Sequence, residues 1–581
     1  MNEEVIMTGG EALLEMLIRH GGRVMFGLGG FQLLPFYDAI QRQKEPLLFR
    51  HVAVNDEGTG AFAADAYARV AGCPGICDGT LGPGALNLTT GIVESYTAGI
   101  PLIAIVGDSN RDHSGKNMTQ EICQREVLSP VVKEYLSVER GHRIPEFVRR
   151  AFGTVTSGRP GPVVLSIPEN VAHNQCAFRK SDLEARRQAV KPPAYRIRAE
   201  EQAVKTAAEL IRGASRPILL VGGGIHLSGA YDELRSFAEN FSMPVAYTLS
   251  GKGALPSNHP LCINLFGRFD RFANDLIKSA DLLIALGCKF GEIATVRYTL
   301  IPESAKIIHI DITPEEIGKH QPVDCGLWSD CRTALVDIAD ELKSSIKEQQ
   351  EKRNDYISEI GSKKREWKEK HLSRLTSVEQ PITIARVCHE LSRVMPHNGI
   401  LVADGGFAAH WSGLLYEAPS AGRVFVANRG NASIGYGLPG GIGAQLAAEK
   451  NPVVALTGDG GFNVALGDLE TAIRELIPLT VIILNNASFG YVKGLQHAIF
   501  QGRYQSSDLR EMNYAAIAKA MGCQGIRVED PAQLSGAIAE GISERSLPTV
   551  IDVIVTRDPA RMLPAVDART QSQGSKGDRP I

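Results

Sequence analysis

The chain has 581 residues, 44% of them hydrophobic, and its 62 Lys and Arg against 65 Asp and Glu leave a formal charge of -3. So even a balance supplies no field for nucleic acid or an anionic membrane, and no stretch reaches the ~18 uninterrupted apolar residues of a membrane span. The acidic start MNEEVIMTGG lacks the basic and apolar parts of a signal peptide, which predicts a cytoplasmic protein.

Ten cysteines are scattered along the chain, and Cys73 and Cys77 have no second pair at metal-ligand spacing, so they read as reduced core thiols. Apolar, β-branched runs alternate with amphipathic stretches from the start: RVMFGL at 23–28, PLIAIVGD at 101–108 and PVVLSIP at 162–168. That alternation predicts βα units on parallel sheets whose strands are buried on both faces. A first α/β domain over 1–185 ends in the polar linker KSDLEARRQAVKPPAYR at 180–196. A second over 195–345 carries PILLVGGG, DLLIALG and AKIIHIDI. Residues 346–380 belong to a charge-rich, mostly proline-free stretch, expected to be a solvated connecting helix. A third α/β domain over 381–560 carries GILVADGG, PVVALTGDGG and LTVIILNN, and 561–581 reads as a frayed tail.

Two strand ends in the third domain carry chemistry. In a parallel sheet, ligands collect at the carboxyl ends of the strands, where the amides of the following helix point outward. Gly458, Gly460 and Gly461 would let the backbone approach a phosphate, but phosphates repel the carboxylate of Asp459 unless a cation lies between them. Asn486 ends the next strand and can face the same point. Oxygen ligands without His or Cys favour a hard ion such as Mg²⁺, which bridges carboxylate and substrate phosphates. Alone, GDG or NN is a common turn; together, after two apolar strands, they predict a diphosphate site.

GDGGFN followed by LNN resembles the diphosphate-binding motif of thiamine-diphosphate (ThDP) enzymes. The resemblance implies Asp459, Asn486 and the backbone carbonyl of Ser488 as metal ligands, with Gly458, Gly460, Gly461 and Tyr491 beside the cofactor. The first domain adds Glu57, the Tyr-Ala-Arg of 67–69 and GPGALN at 82–87, which resemble acetolactate synthase-like enzymes without gaps. Gly82, Pro83 and Asn87 then join the cofactor-binding set, and Gln120 falls on the family's active-site glutamine, where its amide would position a substrate oxygen. On this resemblance the fold is three doubly wound parallel-sheet domains: pyrimidine-binding, middle and diphosphate-binding. Thiazolium C2 is a weak acid deprotonated by the cofactor's own 4′-imino nitrogen, which needs a carboxyl group on N1′, a role that falls to Glu57. Ile434, stiff about χ1, falls where the family folds the two cofactor rings together over a bulky apolar side chain.

The resemblance implies a homodimer as the minimum unit, with tetramers common, and a 2-oxo acid or hydroxyketone substrate. Several relatives hold a non-redox FAD in the middle domain and others hold ADP or nothing. The glycines of LLVGGGIHLSG at 219–229 make FAD a candidate here, beside a plain structural turn. Three positions depart from acetolactate synthase proper: Ile293 replaces an arginine, Leu495 a tryptophan and Thr119 a phenylalanine. They predict a changed acceptor site, with Lys289 or Arg297 as cations that could restore it. A simple 2-oxo acid decarboxylase would carry paired histidines and a glutamate after the NN motif, whereas this chain offers only His113 and no such acid. The sequence therefore reads as a ThDP- and Mg²⁺-dependent carboligase or lyase. The alternatives are a non-ligating decarboxylase and a silent ThDP-fold regulatory protein.

Overall fold

The computed structural model describes residues 4–44 and 46–564, so most of the expected tail lies outside the described residues. Each of the three β-rich regions builds a six-stranded, wholly parallel sheet. Strands such as Leu282–Leu286 and Thr480–Asn485 are buried along their whole length, as expected when helices cover both faces.

The first sheet runs Arg50–Ala53, Val24–Gly27, Gly75–Gly79, Leu102–Asp108, Pro162–Pro168, Glu134–Ser137. The third runs Phe425–Ala427, Ile400–Ala403, Val453–Gly458, Thr480–Asn485, Thr549–Ile554, Gln524–Val528. Counted within each domain, both have the order 2-1-3-4-6-5, while the middle sheet has the order 3-2-1-4-5-6 with Pro217–Val221 and Leu282–Leu286 adjacent at its centre. In each sheet the chain runs off in opposite directions from the first strand, and an open parallel sheet offers a crevice for ligand at that reversal. The three reversals bring together Gly27 with Gly79, Gly222 with Gly287, and Asp404 with Gly458.

The first and third domains are locked by helices Glu57–Ala71 and Gly437–Ala447. They approach so closely that a Cβ on Gly443 would lie 1.9 Å from the Ala63 carbonyl oxygen. Within this contact Arg69 donates to Asp65 at 2.6 Å and to Glu94 at 2.8 Å, and Tyr436 Oη donates to Asp65 at 2.7 Å. All four are buried. Burial works against the Arg69 charge, but Asp65, Tyr436 and Glu94 outweigh it and hold the guanidinium protonated. Glu94 in turn accepts from the backbone N–H groups of Gly430 at 2.8 Å and Asn431 at 2.6 Å, fixing the loop that leads to Ile434.

The charge-rich stretch forms one helix, Ile346–Leu375, but it is not merely solvated. Arg353 is fully buried and donates to the Ile211 and Ala214 carbonyls of the middle domain at 2.7 and 3.1 Å, with Tyr356, Ile360 and Trp367 on the same buried side. Alternating charge hid a stripe widely spaced along the helix. At the other end, Met562 and Leu563 are buried and Trp411 donates to the Met562 carbonyl at 3.0 Å, so the described chain beyond 560 is packed rather than frayed.

Replacing Arg69 with Met should cost about 3–5 kcal/mol, because two buried carboxylates lose their cation. Equilibrium denaturation checks this, and a loss below about 1 kcal/mol would contradict the role given to the network.

Candidate active site

The strand Val453–Gly458 ends at Gly458, and helix Asp459–Ala465 begins immediately after it. Beside it, Ile400–Ala403 ends at Asp404 and Thr480–Asn485 at Asn486. These ends line a cavity of about 360 Å³ together with Gly405, Gly406, Ile434, Ser488 and Tyr491.

The three glycines of the GDGG turn divide by role. A Cβ on Gly458 would meet nothing within 4 Å and so would project into the cavity. On Gly460 it would lie 2.7 Å from the Phe489 ring, and on Gly461 2.2 Å from Asp404 Oδ2. All three glycines line the cavity; packing also excludes a side chain at Gly460 and Gly461, whereas Gly458 and Gly406 leave open space.

Asp459 is 2% exposed, and burial pushes its carboxyl up to about 6 while the backbone N–H groups of Gly460, Ala487, Ser488 and Asn486 pull it back down. No cationic side chain pairs with it among the described residues. Asn486 Oδ1 accepts from both the N–H and the hydroxyl of Ser488 at 3.1 Å, which ties these two residues into one turn. No three His, Cys, Asp or Glu side chains converge among the described residues. An ion at Asp459 would thus draw its other oxygens from an amide, a carbonyl, water and a bound phosphate, which is the habit of Mg²⁺. A buried carboxylate lacking a cation, beside a glycine-lined space, fits ThDP with a hard metal ion.

The Glu57 end is built separately. Asp56 caps helix Glu57–Ala71 by accepting from Thr59 N–H, and Glu57, 6% exposed, accepts from Asn87 Nδ2 at 3.0 Å. Gly82, with φ +76°, opens helix Pro83–Asn87, and a Cβ there would strike the Gln120 carbonyl at 2.2 Å. Gln120 itself has φ +69°, a region sparsely used by residues other than glycine, and is exposed in the single chain. Glu57, Gly82, Pro83, Asn87 and Gln120 thus share one edge of the first domain. None of them lines the cavity that contains Asp459 and Ile434.

The acceptor positions resolve differently from one another. Ile293 lines the cavity, whereas Leu495 packs against the core and is not part of its lining. Lys289 turns away, donating to the Thr97 carbonyl at 2.9 Å, and Arg297 lies 3.6 Å from Glu292. The cation beside Ile293 is Arg268, whose backbone N–H donates to the Ile293 carbonyl at 2.8 Å and whose guanidinium reaches Tyr491 Oη at 3.2 Å and Glu292 at 2.7 Å. Of the cations near Ile293, Arg268 lines the cavity, whereas Lys289 and Arg297 do not.

A second cavity, of about 490 Å³, lies at the reversal of the middle sheet and is lined by Gly222, Gly223, Gly224, Lys289, Asp311 and Asp330 among others. Burial and the neighbouring Arg159 bring Lys289 down to about 8.

Residues 7–127 match the family described as "Thiamine pyrophosphate enzyme, N-terminal TPP binding domain", residues 204–338 the central domain, and residues 404–553 the C-terminal TPP binding domain. The chain belongs to the ThDP-dependent, acetolactate synthase-like enzymes. It is similar to a probable acetolactate synthase large subunit of Methanocaldococcus jannaschii, 32% identical over 570 residues, covering 96% of this chain and 93% of the relative. The acetolactate synthase of Arthrospira platensis is 32% identical over 571 residues, covering 95% of each. The acetolactate synthase large subunit of Corynebacterium glutamicum is 32% identical over 592 residues, covering 99% and 91%. With that family in view, the overlooked Asp404 has a clear place. It accepts from Gly405, Tyr436 and Gly435 N–H and from Thr457 Oγ1, joining the reversal to the start of helix Gly437–Ala447. Its signal was legible in ADGGF, a second Asp-Gly-Gly at a strand end. Arg268, His410 and Arg429 had no motif to announce them.

Asp459→Ala should abolish Mg²⁺-dependent binding of ThDP, since the diphosphate loses its bridging cation. Calorimetry showing unchanged affinity would remove the metal role of this turn.

Proposed function

We propose that the protein is a cytoplasmic carboligase or lyase that joins or cleaves a C–C bond next to a carbonyl, with ThDP and Mg²⁺ held between two copies of the chain. The observation that carries the two-chain reading is the separation of Glu57 from the Asp459 cavity. It is supported by apolar side chains left exposed at both half-sites: Leu86 and Ile122 in the segments of Asn87 and Gln120, Ile434 and Val464 at the cradle. A dimer is the minimum unit on this reading, with a tetramer the larger assembly.

Asp459, Asn486 and the Ser488 carbonyl would hold Mg²⁺ against the diphosphate, with Gly458 leaving room for it and Gly82, Pro83, Asn87 and Tyr491 bordering the rest of the cofactor. Bound ThDP supplies the nucleophilic carbon that takes up the acyl unit of a 2-oxo acid as CO₂ leaves. Glu57 shares a proton with the pyrimidine N1′, and Asn87 holds its carboxyl in place. Ile434 stands 40% exposed in the cavity wall, available as the apolar wedge. Gln120 hydrogen-bonds a substrate oxygen. In the ligation direction, acyl transfer to a carbonyl forms one C–C bond, releases one CO₂ and leaves one proton on the new hydroxyl oxygen. The middle cavity is the proposed nucleotide pocket. Asp311 at a strand end suits ribose hydroxyls and Lys289 with Arg159 suits phosphates, the features that FAD or ADP would use.

Glu57→Gln should keep ThDP affinity but lower turnover at least about 10²-fold, because an amide cannot share that proton. Proton–deuterium exchange at C2 of the bound cofactor reads this directly, and near-normal exchange in Glu57→Gln would contradict the role.

A further inference from the structure

Three side chains that the preceding reading leaves unused meet at the inner wall of the Asp459 cavity. His410, in helix Phe407–Leu415, is 5% exposed, and both its ring nitrogens lack a hydrogen-bond partner among the described residues. Its ring is held by aromatic neighbours, Phe269 at 4.8 Å and Tyr491 at 5.3 Å between centroids. Arg429 lines the same wall, and among the described residues its guanidinium has no hydrogen-bond or ion-pair partner; its only recorded bond in this region is from its backbone N–H to the Ala427 carbonyl. Arg268 is 8% exposed and is aimed by Tyr491 Oη and Glu292.

Like charges do not gather in a buried wall without an anion to meet them. The one carboxylate nearest Arg429 by charge, Glu94, is already engaged by Arg69 and the amides of Gly430 and Asn431. Glu292 binds Arg268 alone of the pair. The wall is therefore short of negative charge at a point beside the diphosphate cradle.

We propose that Arg268, His410 and Arg429 form a carboxylate-binding subsite for the substrate, in the wall of the cavity that also holds the Asp459 turn. Two guanidiniums offer forked donors that match a carboxylate. His410 supplies what they cannot. Burial, then Arg429 and Arg268, keep its imidazole well below the usual range and hence neutral. A neutral ring has one donor and one acceptor nitrogen, so it can bind the carbonyl or hydroxyl oxygen next to that carboxylate. His410 and Arg429 stand in the wall that this cavity shares with the middle one, whereas Arg268 and Tyr491 border this cavity and not the middle one, so it is Arg268 that ties the subsite to the reacting centre. The subsite also answers the loss at position 293, since Arg268 enters the cavity across a backbone hydrogen bond from Ile293.

This inference rests on the carboligase reading for its substrate class, a 2-oxo acid, but its test does not need turnover. Oxamate, a stable anionic isostere of pyruvate, should bind the ThDP- and Mg²⁺-loaded protein, and the neutral pyruvamide at least about 10-fold more weakly, as expected for hydrogen bonds to a charged group. His410→Phe should weaken the binding of both compounds, because each carries the carbonyl oxygen that His410 binds, whereas Arg268→Met should erase that preference. Arg268→Lys, which keeps the charge and the bulk, should recover only part of it. Thermal melting confirms that each variant is folded before titration.

Two sources of the carboxylate are separated by kinetics. A rise in KM for CO₂ release from pyruvate in Arg268→Met assigns the subsite to the carboxylate of the donor. A rise confined to ligation with a 2-oxo acid acceptor, and absent with an aldehyde acceptor, assigns it to the acceptor. Equal binding of oxamate and pyruvamide by the unmodified protein, an oxamate preference that survives in the folded Arg268→Met variant, or unchanged binding of both compounds in His410→Phe, overturns the proposal. Absence of C2 exchange in the unmodified protein would instead fail the carboligase reading, leaving the oxamate result to stand by itself.

Discussion

A buried cation shared by two carboxylates sets the geometry of this protein. Arg69 satisfies Asp65 and Glu94, and each of those carboxylates reaches into a different part of the third domain, Asp65 to Tyr436 and Glu94 to the amides of Gly430 and Asn431. The loop between Arg429 and Ile434 is thereby pinned at both ends. One end of that loop presents a guanidinium to the cavity and the other an isoleucine. Helix Glu57–Ala71 supplies both Arg69 and, at its first residue, Glu57. One helix therefore positions both the Glu57 carboxylate and, through Arg69, the loop that carries Ile434.

The sites follow from topology. Each sheet reverses its strand order beside its first strand, and that reversal carries a glycine-bearing strand end where a ligand can be held. In the third domain two aspartates serve that turn differently. Asp404 spends its oxygens on Gly405, Gly435, Tyr436 and Thr457 and so holds the backbone, whereas Asp459 meets backbone amides and no cationic side chain among the described residues. Arg268 and Arg429 line the same cavity and give it groups of the other sign.

Much of this was legible in the sequence because it is local. The buried strands announce themselves as β-branched runs, and Asp459 and Asn486 each end such a run, so their convergence follows from a parallel sheet. Glu57 and Ile434 came through resemblance to a known motif rather than through any physical pattern. What was not legible is long-range. Arg268 is brought beside Ile293 from 25 positions away, by a backbone hydrogen bond to its carbonyl. His410 looks like one more residue of an apolar helix until its empty nitrogens are seen. The buried side of helix Ile346–Leu375 escaped for a related reason: Arg353 is a charge by composition and a core residue by contact.

The central claim is that a working site takes Glu57 from one chain and the Asp459 turn from another. Co-expressing Glu57→Gln and Asp459→Ala chains, each inactive alone, tests it most directly. Mixed oligomers should regain a substantial fraction of the activity, because one site in each mixed dimer receives both intact residues. Mixed oligomers verified by native mass spectrometry that remain as inactive as either parent would contradict the account and place both residues in the site of a single chain.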